Sequence, residues 1–148
     1  MTETVAQFDW VSAVRATYTD ALFRQLRIDA EDAVARVMAI AEQAVPVRTM
    51  FDLIVVNPQQ FMVRRLGARP AEIMFGRRAM GSVVIGSDGQ SEPIMTLQSK
   101  VMDDGTTAIV VTTTESDGQV EQHREVAHSW QVVREILEPL VRDVLLAP

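Results

Sequence analysis

Three Asp-Gly pairs constrain this chain more than any other feature. They stand in Ser87-Asp88-Gly89-Gln90, Asp103-Asp104-Gly105-Thr106 and Ser116-Asp117-Gly118-Gln119. An Asp-Gly pair suits the positive φ angles of a tight hairpin turn. Around and between them lie β-rich runs at 82–85, 94–102, 107–115 and 120–128. Alternating strands and turns at this spacing predict a four-stranded antiparallel meander.

The flanking segments read as helices and one short strand–helix unit. Asp9 is placed to cap a first helix, whose apolar positions Val11, Val14, Tyr18, Leu22 and Leu26 recur at helical spacing. Asp29 is placed to cap a second, with Glu31 and Asp32 in its first turn and Pro46 at its end. Residues 49–56 read as a strand. Asn57-Pro58 then resembles an N-cap followed by proline, which predicts a short helix over 58–66 closed by Gly67. The stretch 68–80 is the least legible, and Ile73-Met74-Phe75 reads either as strand or as the end of a helical turn after Pro70. Ser129 is placed to cap a C-terminal helix with Trp130, Val133, Ile136, Leu137, Leu140, Val141 and Val144 on one face. Pro139 inside that pattern predicts a kink or a split.

The expected architecture is therefore one α+β domain over residues 1–148. It has two N-terminal helices, a strand–helix unit, a mainly antiparallel sheet of four to six strands and an amphipathic C-terminal helix. The order helix–helix–strand–helix–sheet resembles that of the cystatin-like and NTF2-like α+β cones. The long helix after the meander is similar to the end of helix-grip folds. Both are likenesses of element order alone.

Composition narrows the function. The formal net charge is −6, placed unevenly. Residues 1–78 hold ten arginines against nine acids, and residues 79–148 hold four basic side chains against eleven acids. That acidic half opposes nucleic-acid binding, which needs clustered Lys and Arg. Cysteine is absent, so thiolate chemistry and Cys-based zinc sites are excluded. The start lacks the pattern of a signal peptide, and no apolar run reaches the ~18 residues of a membrane span. The expected location is cytoplasmic.

Two-residue turns at Asp104-Gly105 and Asp117-Gly118 fix an expected register. Val101 then faces Ala108, Ser99 faces Val110 and Leu97 faces Thr112. In the next hairpin Val110 faces Glu125, Thr112 faces His123 and Ala108 faces Ala127. One sheet face would carry Leu97, Ser99, Thr112, His123 and Glu125. The other would carry Lys100, Ile109, Val111 and Arg124. This leaves a polar pocket under the helices, around His123, or an edge strand at 120–128 whose side chains reach water, or a register shifted by one residue, which would swap both faces.

Candidate chemistry is sparse. His123 and Glu125 form the one acid/base pair of note, but no HExxH, GxGxxG or GxSxG motif accompanies them. His123 and His128 point to opposite faces of a strand, so they cannot share a metal there. Arg64, Arg65, Arg69, Arg77 and Arg78 concentrate positive charge that suits a small anionic ligand or an acidic partner. Eight methionines suit either core filling or an adaptable binding surface. The reading is a non-enzymatic binding module of adaptor, chaperone-like or regulatory type. It is homodimeric, with 120–128 as one pairing strand, and needs no cofactor or metal. The alternative is a small-molecule-binding or catalytic cone whose pocket uses Ser99, Thr112, His123, Glu125 and an arginine from 64–78.

Overall fold

The computed structural model describes residues 10–44, 50–67, 70–78, 81–87, 94–114 and 121–145. One helix, α1 (Trp10–Ala44), precedes seven strands. These are β1 (Met50–Asn57), β2 (Gln60–Leu66), β3 (Ala71–Arg78), β4 (Ser82–Ser87), β5 (Met95–Val101), β6 (Thr107–Thr114) and β7 (Glu121–Val126). Helix α2 (Ser129–Leu145) closes the chain. The strands form a single antiparallel sheet in sequence order, β1 to β7. The class is α+β with an antiparallel meander, but the strand count exceeds the expected four to six. No helix among the described residues is long and apolar enough to cross a membrane.

The two expected N-terminal helices are one, 35 residues long. At ~1.5 Å per residue that is a rod of about 50 Å. Nothing between Leu26 and Val34 breaks a helix, since Gly and Pro are absent there. The acids that resemble a first turn serve other ends. Glu31 pairs with Arg27 at 3.8 Å, and Asp32 with Arg36 at 2.9 Å, each one turn apart. Asp29 reaches sideways to α2 and accepts a hydrogen bond from the Ser129 hydroxyl.

No helix forms at 58–66. Asn57-Pro58 makes the β1–β2 turn instead, where the Asn57 side chain accepts the Gln59 N–H at 2.8 Å. The next residues alternate strictly: Phe61, Val63 and Arg65 are buried while their neighbours are not. Period two decides for strand over helix. The barely legible 68–80 stretch supplies β3, with Ile73 and Phe75 buried.

The β5–β6 turn corrects the register. Met102 donates its N–H to the Thr106 carbonyl at 2.7 Å, and Gly105 donates to the Met102 carbonyl at 3.0 Å. The loop thus holds three residues, Asp103-Asp104-Gly105, rather than two. Gly105 has φ +86°, which closes the three-residue form. Asp104 stiffens it by accepting both the N–H and the hydroxyl of Thr106 at 3.0 and 2.6 Å. Those bonds hold its carboxyl below the ordinary carboxylate pKa. The odd residue slides β6 by one, so Leu97 pairs with Val111, Ser99 with Ile109 and Val101 with Thr107. Ile109 and Val111, expected outside, are therefore inside. The next hairpin pairs as expected, Val110 with Glu125 and Thr112 with His123. The expected cap at Asp9, the helix end at Pro46 and the turns at Asp88-Gly89 and Asp117-Gly118 lie outside the described residues.

Both helices pack on the face carrying Phe61, Val63, Phe75, Val83, Ile85, Leu97 and Val111, all fully buried. Helix α1 contributes Leu22, Phe23, Leu26 and Ala30, spaced at helical intervals. Helix α2 contributes Val132, Val133, Ile136 and Leu137. Its start is capped from within: Gln131 accepts the His128 N–H at 3.0 Å, the geometry of a capping box. Pro139 lies inside α2 without splitting it. Beside it, buried Arg65 donates to the Leu140 carbonyl at 2.8 Å.

Candidate functional site: the open sheet face and its β1 edge

The helices cover one face of the sheet, and no described element covers the other. Register dictates what that open face displays. One row runs Ile54, Met62, Met74 across β1, β2 and β3. A second runs Gln60, Gly76, Val84, Thr96, Thr112, His123 from β2 to β7. A third runs Asp52, Arg64, Glu72. The face is thus apolar near β1 and polar near β7. Two of its apolar members are methionines, whose unbranched thioethers adapt to irregular surfaces.

The His123 group lies on this open face and not under the helices. Its ring Nδ1 is 3.0 Å from the Thr112 hydroxyl, and Nε2 is 3.8 Å from Glu121. Glu125 accepts from Lys100 at 2.7 Å, a bond that raises the ammonium pKa. All of these side chains except Thr112 are exposed. Ser99 stands on the opposite face and donates to the Tyr18 carbonyl at 3.4 Å. Ser99 therefore does not join Thr112, His123 and Glu125 in one pocket. The slid β6 register and the outward set of β7 explain the separation. No group of three or more His, Asp or Glu suited to a metal occurs among the described residues.

Strand alternation also disperses the arginines. Arg64 points to the open face and holds Asp52 through two bonds, at 3.0 and 2.8 Å. Arg65 points inward and is buried. Arg77 also points inward and pairs with Asp20 of α1 at 2.5 Å. Arg78 is exposed at the end of β3, and Arg69 lies outside the described residues. The four described arginines of this run make no single patch.

The Arg64 hydrogen bonds hold the Asp52 carboxyl below its ordinary 3.8, against a smaller opposing effect of burial. A lowered folded-state pKa means the pair stabilises the fold above the unfolded-state value. That contribution disappears as the pH falls through the lowered one. The pair is about one-third exposed, so the effect is small. In urea melts from pH 6 to pH 2, Arg64→Met should lose less stability on acidification than the parent. An identical acid limb in both proteins would count against the pair.

The two sheet edges differ sharply. Edge strand β7 carries Glu121, His123, Arg124 and Glu125, all exposed, and such charges discourage strand pairing. The 120–128 run is thus an edge, as the sequence allowed, but a poor one for dimerisation. Strand β1 carries Met50-Phe51-Asp52-Leu53-Ile54-Val55-Val56-Asn57. Asp52 is its only charge and is neutralised by Arg64. Met50, Val55 and Val56 are about half exposed, at 51%, 49% and 47%. The Phe51 N–H points off the edge and bonds to the Met38 sulfur of α1 at 3.2 Å. In an antiparallel ladder, outward-facing groups recur at every second residue. Leu53 and Val55 therefore also direct their N–H and C=O groups away from β2.

A cleft of about 400 Å³ separates the helices from the β5–β6 end of the sheet. Tyr18, Asp29, Ser99, His128 and Trp130 line it. Half-exposed Trp130 stacks on His128, with ring centroids 6.1 Å apart. It also borders an apolar groove of about 570 Å³ between α1 and α2. Sequence reasoning placed Trp130 on a core-facing stripe and Asp29 at a helix start. It did not find either as a cleft residue, because the separation of a hundred positions between Asp29 and Ser129 leaves no local signal.

No protein-family model, no curated protein and no solved structure matches the chain. Among the described residues the fold is an α+β domain with one helix-clad sheet face, one open face and an apolar β1 edge, on which the Phe51 N–H is taken up by α1.

Proposed function

We propose that this chain is a non-enzymatic interaction module that recruits an extended strand along β1. The setting is the cytoplasm, and the role is that of an adaptor, chaperone-like or regulatory protein. One observation carries the reading. Strand β1 offers the outward backbone groups of Leu53 and Val55 on a nearly charge-free edge. Backbone pairing supplies affinity in such strand addition, and side-chain fit supplies selectivity. The apolar row Ile54, Met62, Met74 beside the edge gives an incoming strand somewhere to bury its own side chains.

The test uses a fluorescein-labelled peptide with the sequence of Met50–Asn57 and protein dilute enough to be monomeric by mass. Fluorescence anisotropy should rise with the parent chain. It should rise far less with Val55→Lys, which puts a charge on the edge and should leave the circular dichroism spectrum unchanged. Equal binding by both proteins, or by neither, would sink the reading.

A further inference from the structure

The strand that occupies β1 can be named from its own geometry. We infer that it is β1 of a second copy of this chain, paired antiparallel about a two-fold axis at Ile54. The inference rests on the strand-recruiting reading above and adds the occupant and the register.

Two identical antiparallel strands can pair symmetrically in only a few registers, because outward-facing residues must meet outward-facing residues. Leu53 facing its own copy would also set Phe51 against the partner's Val55. That register needs the Phe51 N–H, which Met38 of α1 already holds. Val55 facing its own copy would carry the pairing into the irregularity between Val55 and Asn57 and the turn beyond it. One symmetric register keeps its two central hydrogen-bonded pairs clear of both obstacles. In it Leu53 pairs with the partner's Val55 and Val55 with the partner's Leu53, Ile54 faces its own copy, and only the outer positions, Asp52 opposite the partner's Val56 and Phe51 opposite the partner's Asn57, reach the irregularity.

That register is also free of charge conflict. The two Asp52 carboxylates do not face each other, and each keeps its own Arg64. On the open face it joins two apolar rows end to end: Met74, Met62 and Ile54 of one copy continue into the same three of the other. The result is one sheet running through both protomers. Strand β7 offers no equivalent, since its exposed charges would meet in any self-pairing.

The chain has no cysteine, so single introduced thiols report the register cleanly. Ile54 and its copy form a non-hydrogen-bonded pair, with Cα atoms roughly 4.5 Å apart. That lies within reach of a disulfide. Ile54→Cys, oxidised at concentrations where light scattering gives twice the chain mass, should run mostly as a covalent dimer on a non-reducing gel. Leu53→Cys, Val55→Cys and Met50→Cys should stay largely single. Circular dichroism checks that each variant is folded. Cross-linking at 53 or 55 instead of 54 would overturn the register. A parent chain of single mass at high concentration, or a dimer that none of the β1 thiols traps, would overturn the self-pairing. If the peptide still binds the parent and not Val55→Lys in those cases, the recruiting edge stands without a second copy as its occupant.

Discussion

Phe61→Ala should lower the free energy of unfolding by about 3–5 kcal/mol, the usual cost of emptying a buried aromatic site. Phe61 is fully buried on β2. Its ring stacks on Phe75 of β3 with centroids 4.6 Å apart. It also meets Phe23 of α1 at 5.3 Å and a tilt of 45°. The truncation therefore removes a contact within the sheet and one between sheet and helix. A domain is typically stable by only about 5–15 kcal/mol, so this single loss is a large share. Phe61→Leu keeps most of the volume and should cost well under half as much. Urea titration measures both. A loss below about 1 kcal/mol for Phe61→Ala would mean that the three rings do not form the centre of the core.

Asp29→Ala should cost about 1–3 kcal/mol, the penalty for stranding a buried hydrogen-bonding partner. Its carboxylate accepts from the Ser129 hydroxyl and, at 3.0 Å, from the Gln25 amide. Ser129 is buried at the first turn of α2, where its hydroxyl points to Asp29. A negative charge there also suits the positive end of the α2 dipole, worth about 0.3–1 kcal/mol. Asp29→Asn keeps an acceptor and loses the charge, so its effect should fall between the parent and alanine. The sharper measurement is the double variant. If the two side chains act as a pair, Asp29→Ala adds little once Ser129→Ala is present. Strictly additive costs would show that they do not.

Local chemistry made much of this fold legible in the sequence. Strands β4 to β7 follow from the β-rich runs, with the Asp104-Gly105 turn between β5 and β6, and α2 follows from its apolar stripe. The failures share one cause, which is that the same short signal serves two structures. Asn57-Pro58 begins helices and also turns hairpins, and only the alternation of Phe61, Val63 and Arg65 separates the two. Asp29 carries the look of a helix cap because its real partner is Ser129, far along the chain. Asp104-Gly105 closes a two-residue loop or the last part of a three-residue loop. That difference of one residue moved Ile109 and Val111 from the expected outer face into the core. It left the candidate residues Ser99 and His123 on opposite sides of the sheet.

The edge behaviour of β1 was less legible still. Its run of apolar residues reads equally well as a buried central strand. Whether a strand is central or peripheral depends on the order of the whole sheet, which no local pattern contains. The β7 edge was easier, because its alternating charges have no use inside a sheet.

Each strand bonds only to its neighbours in sequence, so every sheet contact closes a hairpin. The chain can zip from many starting points, each at small entropic expense. The helices obey a different rule. Their junction spans one hundred residues between Asp29 and Ser129, and α2 is tied to β2 across seventy-five between Arg65 and Leu140. The slow step in assembly should accordingly be the clasping of α1 and α2 over a ribbon already laid out. Removing either helix would then undo the molecule more thoroughly than cutting a hairpin loop.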